Sequence, residues 1–198
     1  MIKLSELITD ATGIPVDSMN KFDFEPNSNL LEFEKNDHVP KEIVKPNYFC
    51  IVLEGTVQLY WLEKYNKQTI IDFKRAGNAL RPAIEIDQEK CGDMKAKFLS
   101  KGKLIAINRD YLCSITFKDD KISDLYYKLL TQDLSSTYLQ LKMLKEESIE
   151  KRYLNFIEEY GDIYNGITDR MIANYLGVHY TTLSRMKVRL LEKQRNPA

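Results

Sequence analysis

A chain of 198 residues, 43% hydrophobic and 29% charged, has the composition of a folded protein with one large or two small domains. Lys plus Arg and Asp plus Glu number 29 each, so there is no global basic signature. No run approaches the ~18 apolar residues of a membrane helix, and the stretch from Met1 to Gly13 lacks the apolar core of a signal peptide. These features predict a cytoplasmic chain with no membrane contact.

The spacing of Leu4, Leu7, Ile8 and Ala11 predicts a short N-terminal helix that Gly13 ends. From Leu30 to about Leu112 the pattern is one of short strands. LLEFEK and KEIVK are predicted strands around a turn. YFCIVLEGTVQLYWLE is dense in β-branched and aromatic residues, and Gly55 divides it into two strands. QTIIDFK follows, then the break AGNALRPA, then MKAKFLS and KLIAINRDYL. Short strands punctuated by Gly and Pro predict an antiparallel sandwich or β-roll. Cys50, Cys91 and Cys113 are widely spaced and odd in number, as in a reducing compartment, and Cys50 and Cys113 sit in apolar runs where a thiol acts as a small hydrophobe.

After Thr116 the period becomes helical. Ile122, Leu125, Tyr126, Leu129 and Leu130 start a long amphipathic helix. It continues with a short heptad pattern in which Leu134, Tyr138, Leu141 and Leu144 are the predicted dimer interface. The alternative is that this stripe packs on the strands. Ile149 to Tyr160 predicts a further helix, with Tyr153, Phe156 and Tyr160 on one side.

Thr168 to Val188 then reads as helix, turn, helix. Thr168 can cap the first helix. Ile172 and Leu176 share a face, Ala173 allows close approach, and Gly177 supplies the turn. Val178, Leu183 and Met186 close the small core, which leaves His179, Tyr180, Thr181, Ser184 and Arg185 outward. From Thr168 to Ala198 six basic residues face two acidic ones, a net of +4, which suits a phosphate-binding end. A helical hairpin with no nucleic acid is the alternative.

The order of β-roll, long helix and helix-turn-helix, with the stretches IVLEGTVQLYW, KLIAINRDYL and IANYLGVHYTTLSRMKVRL, resembles the cyclic-AMP receptor protein/fumarate-nitrate regulator (Crp/Fnr) superfamily of bacterial transcription regulators. The run EKRYLNFIEEYGDIYN before the last motif is most similar to its Bacteroidetes-type members. The resemblance implies an α+β fold: an N-terminal antiparallel, cyclic-nucleotide-binding-like β-roll over 1–117, a dimerisation helix over 118–147, and a C-terminal helix-turn-helix over 148–198 with a reduced or absent wing. It implies a homodimer on a two-fold operator in double-stranded DNA, with a contact to RNA polymerase and a small-molecule effector both left open. Carried onto this sequence, it makes Tyr180, Thr181, Ser184 and Arg185 base contacts, and Thr168, His179, Thr182, Lys187 and Arg189 phosphate contacts.

The family's cyclic-nucleotide cassette, Phe-Gly-Glu followed by Arg-x-Ala, is not present in GNALRPAIEIDQEKCGDMKAK, so cyclic AMP is not the expected ligand. Arg81, the one arginine of that stretch, is the effector-pocket candidate, with a surface or structural role as its alternative. Three cysteines without cluster spacing and two histidines, His38 and His179, predict no metal and no cofactor. A cupin-like enzyme would need more metal ligands than this, so no enzymatic activity is expected. A protein-interaction module with weakened DNA binding is the remaining alternative.

Overall fold

A computed structural model describes residues 3–45, 47–80 and 93–195. The N-terminal helix α1 (Leu4–Thr12) ends at Gly13, whose φ of +68° places it in the left-handed region. Six strands follow: β1 (Ser28–Phe33), β2 (Tyr48–Glu54), β3 (Thr56–Leu62), β4 (Gln68–Arg75), β5 (Asp93–Phe98) and β6 (Gly102–Asn108). They form two three-stranded antiparallel sheets, ordered β1-β6-β2 and β4-β3-β5. A helical turn, α2 (Lys41–Val44), lies between β1 and β2.

The run YFCIVLEGTVQLYWLE does form two strands, but they are not hairpin partners. β2 pairs with β6, and β3 pairs with β4 and β5. Gly55, at φ +87°, carries the chain from one sheet to the other. A Cβ there would lie 2.6 Å from the Lys101 carbonyl oxygen, so only glycine fits the crossing without a shift.

Both sheets are covered on both sides, which explains the near-continuous apolar runs. Cys50 and Val52 of β2, Val57 and Leu59 of β3, and Leu104 and Ala106 of β6 fill the space between the sheets. Phe33 and Phe98 stack there with centroids 4.4 Å apart. The alternate residues Phe49, Ile51, Ile105 and Ile107 face outward against helices.

Two expectations are corrected. KEIVK is not a strand: Ile43 and Val44 donate backbone hydrogen bonds to the Pro40 carbonyl, and Val44 alone of the turn is buried. With one anchored side chain, β-propensity has no second face to satisfy. KLIAINRDYL ends as a strand at Asn108, and α3 (Arg109–Thr116) begins there. The Asn108 side chain caps it by accepting from Tyr111 N–H at 3.0 Å.

The long helix α4 (Asp120–Lys145) is capped by Asp119, and its Ile122, Leu125 and Leu129 join α3 on the β1-β6-β2 sheet. Helices α5 (Ile149–Tyr160), α6 (Asp169–Tyr175) and α7 (Tyr180–Arg195) follow. No strand follows α7 among the described residues.

This helical end is fastened to the outer face of the β4-β3-β5 sheet. Tyr60, Ile70 and Phe73 share one core with Phe156, Tyr160, Ile172, Tyr175 and Leu183. Polar contacts surround that core. Asn174 accepts from Ile70 N–H at 2.7 Å and donates to the Gln68 carbonyl at 2.8 Å. In the β3–β4 register Leu59 faces Asp72 and Tyr60 faces Ile70, so Ile71 has no partner. Its carbonyl instead accepts from Gln140 of α4 at 2.6 Å.

Candidate nucleic-acid interface

The interface is built on α6 and α7. Thr168 Oγ1 accepts from Met171 N–H at 3.3 Å and starts α6. At its other end Gly177, φ +65°, donates to the Asn174 carbonyl at 3.1 Å, while Val178 N–H donates to the Ala173 carbonyl at 2.9 Å. This crossed pair is a Schellman turn, which needs the left-handed residue that glycine provides. His179 then starts α7, its carbonyl accepting from Thr182 and Leu183 N–H. Ile172, Ala173, Leu176 and Leu183 are buried between the helices, with Val178 and Met186 partly so.

The packing leaves His179, Tyr180, Thr181, Thr182, Arg185 and Arg189 exposed along α7, with Ser184 half-buried. These predicted residues therefore lie on one accessible side. Two have partners within the motif: His179 Nδ1 lies 2.9 Å from Thr181 Oγ1, and the Thr168 oxygen serves as the cap.

Lys187 lies elsewhere. Its ammonium donates to Asp169 at 2.6 Å and to the Tyr164 hydroxyl at 3.1 Å, and sits 5.7 Å from the Tyr153 ring centroid. Burial works against its charge, but these bonds more than offset that and hold its pKa above the ordinary lysine value. The Tyr153 hydroxyl beside it is pushed up to about 12, first by burial and then by its bond to Tyr164. Lys187 thus fastens α7 to α6 and α5, and this geometry does not support the phosphate contact expected of it. Lys193 is similarly paired, with Glu150 at 3.1 Å.

The arginines differ. Arg170, Arg185, Arg189 and Arg195 are exposed and make no ion pair among the described residues. Both lysines of the stretch are thus neutralised locally, and the four free cations are all guanidiniums.

On α4, Leu134, Tyr138 and Leu141 are 55%, 65% and 48% exposed. Tyr127, 70% exposed, extends this stripe, so that 127, 131, 134, 138 and 141 recur at heptad spacing. Leu144 is less exposed, at 38%, and its Cδ2 lies 3.8 Å from where a Cβ on Gly177 would be. It packs by the reading-head turn. Arg81 lies outside the described residues.

Behind the interface is a buried charge cluster with no mark in any short motif. Lys74, with 5% of its side chain exposed, bonds Asp72 and Asp133 at 2.6 Å each. Asp72 also accepts from Tyr160 at 2.6 Å and from Ser136 at 3.2 Å, and Tyr160 lies 3.1 Å from the Tyr175 hydroxyl. Burial opposes the Lys74 charge, yet the two carboxylates outweigh it and raise its pKa. Burial, then the Asp72 charge, raises those of Tyr160 and Tyr175. The one local hint is two opposite charges, Asp72 and Lys74, inside an apolar strand.

No family model and no curated protein matches the chain. Solved structures do. A cyclic nucleotide-binding domain containing protein from Listeria monocytogenes is 17% identical over 89% of this chain and 88% of that one, with a TM-score of 0.72. A transcriptional regulator assigned to the crp/fnr family from Eubacterium rectale is 16% identical over 89% and 87%, with a TM-score of 0.65. CLP, the c-di-GMP responsive global regulator linking cell–cell signalling to virulence gene expression in Xanthomonas campestris, is 12% identical over 85% and 89%, with a TM-score of 0.63. At such identities the likeness establishes a shared fold. The structural neighbours are Crp/Fnr regulators, and their fold is that of this chain.

Proposed function

We propose that the chain is a homodimeric, sequence-specific DNA-binding transcription regulator acting in the cytoplasm, without enzymatic activity. The observation that carries this is the set of free arginines on the exposed side of a correctly capped helix-turn-helix, next to lysines that are paired internally. Planar guanidiniums match phosphates and guanine edges with two parallel bonds. Arg185, exposed within α7, is the reader of a guanine O6/N7 edge. Thr181, Ser184 and Tyr180 border it, and Arg189, Thr182, His179 and Thr168 lie where phosphate contacts would fix the register.

The occupant of the α4 stripe is a second copy of the chain. Its heptad spacing matches that of a two-stranded coiled coil, and a two-fold pair would set two α7 helices about one DNA turn, ~34 Å, apart. Leu134→Glu with Leu141→Glu should yield a monomer in sedimentation with its fold intact. Cyclic AMP is not the effector on this reading, because no Gly-Glu pair stands between Gly77 and Lys97. Micromolar binding in a calorimetric titration would overturn that part.

The test of DNA reading is selection from a random duplex pool, followed by salt titration of the enriched sequence. A steep fall in affinity with salt is expected, at about 0.9 ions per phosphate contact. Arg185→Ala should lose roughly 1–3 kcal/mol of discrimination at the guanine it reads. Failure to enrich any sequence, or affinity indifferent to salt, refutes the reading.

A further inference from the structure

Two arginines of this chain lie over tyrosine rings, and the contrast between them is informative. Arg75 Cζ is 5.9 Å from the Tyr160 ring centroid, but the same guanidinium bonds Glu159 at 3.0 Å and Asp162 at 2.6 Å. Its charge is answered within the fold. Arg170 Cζ is 5.7 Å from the Tyr180 ring centroid, and no carboxylate meets it among the described residues. One is a structural stack. The other holds an open, exposed guanidinium.

The position of this second stack matters. Arg170 is the second residue of α6 and Tyr180 the first of α7, so the stack bridges the starts of the two helices. When such a motif docks, the second helix enters the groove and the first crosses the backbone beside it. A guanidinium rising from α6 and lying on the first ring of α7 stands at that boundary. Its neighbour on DNA is a phosphate.

We propose that Arg170 is a DNA-phosphate contact and that Tyr180 is the platform positioning it, rather than a reader of a base edge. The ring face attracts the cation and fixes the plane of the fork. This assigns a contact to a residue that no spacing argument singles out, and changes the role of Tyr180. It rests on the DNA-binding reading above.

The test uses the full chain, a duplex selected from a random pool with the wild type, and a random-sequence duplex of equal length. Arg170→Ala should lower the salt slope on both duplexes by about 0.9, with their affinity ratio unchanged. Tyr180→Phe keeps the ring face and should bind as wild type. Tyr180→Ala should weaken binding about threefold, and should do nothing further in the Arg170→Ala background. An unchanged slope in Arg170→Ala overturns the contact. A changed selected-to-random ratio in Tyr180→Ala, present with or without Arg170, overturns the platform and makes Tyr180 a base reader. A wild-type chain with no salt-dependent affinity for either duplex overturns both this proposal and the reading on which it rests.

Discussion

Lys74 is the residue whose replacement should discriminate most sharply among accounts of this fold. Its ammonium lies between two carboxylates, each with 12% of its side chain exposed. Lys74→Met keeps the stem and removes the charge, so Asp72 and Asp133 face each other with no cation. Stripping one partner from a buried ion pair costs about 3–5 kcal/mol. Here two carboxylates lose their partner at once, while uptake of a proton by the pair limits the loss. We expect a deficit of about 4 kcal/mol at neutral pH. Asp72→Asn should cost only about 1 kcal/mol, because an oxygen remains for Tyr160 and the Lys74–Asp133 pair is left neutral. Asp72→Ala should fall between, at about 3 kcal/mol, since Phe73 N–H and the Tyr160 hydroxyl lose their acceptor. Urea unfolding followed by Trp61 fluorescence in β3 and by far-UV circular dichroism would report the roll and the helices together. The folded Lys74→Met protein takes up a proton that the unfolded chain releases, so its deficit should shrink as pH falls from 7 toward about 5. A Lys74→Met variant no less stable than Asp72→Asn, or a deficit that grows on acidification, refutes this reasoning.

Three further outcomes follow from the same structure. Gly177→Ala should cost about 1 kcal/mol, since the nearest atom to its Cβ is 3.8 Å away and only the left-handed backbone objects; Gly55→Ala should cost at least 1 kcal/mol more, its Cβ meeting a carbonyl oxygen at 2.6 Å. Thermal melts of the two variants compare them directly. Asn174→Ala should lose about 1–2 kcal/mol by freeing Ile70 N–H and the Gln68 carbonyl, measured by urea midpoint. Tyr160 and Tyr175 have folded pKa values raised above the unfolded value of ~10. Their contribution is fully present below pH ~10 and is lost as pH rises through the folded values, at about 1.4 kcal/mol per pH unit for each. Tyr160→Phe should make the fall shallower, and stability that stays flat to pH 11 would contradict the assignment.

The helices were the most legible part of the sequence. Ile149–Tyr160 and the capped pair around Gly177 follow from local spacing, because their apolar faces and caps lie within a few residues of one another. The strands of YFCIVLEGTVQLYWLE were legible, but their partners were not: adjacent strands joined by one glycine look like a hairpin, and only the close approach of Lys101 and Gly102 to Gly55 separates them into two sheets. Asn108 is a cap visible in sequence, yet the strand pattern before it hides the start of α3. The heptad stripe extends to Tyr127, a tyrosine where a leucine marks the pattern elsewhere, while Leu144 turns toward Gly177. Lys187 looks from sequence like any basic residue of a reading helix. Its partners Asp169 and Tyr164 are brought in only by the folded bundle. The same holds for Asp72, Lys74 and Asp133, which meet across 61 positions of chain at the widest.

Strand β4 lies at the margin of its sheet, with β3 on one side only. Its outward backbone groups are the kind that recruit a strand from another molecule. Here Asn174 occupies two of them and Gln140 takes the carbonyl freed opposite Tyr60. The reading head and the long helix therefore also act as a guard against self-association of the roll. Any motion or variant that lifts the head would uncover a pairing-competent edge, so loss of DNA binding through this junction should come together with aggregation.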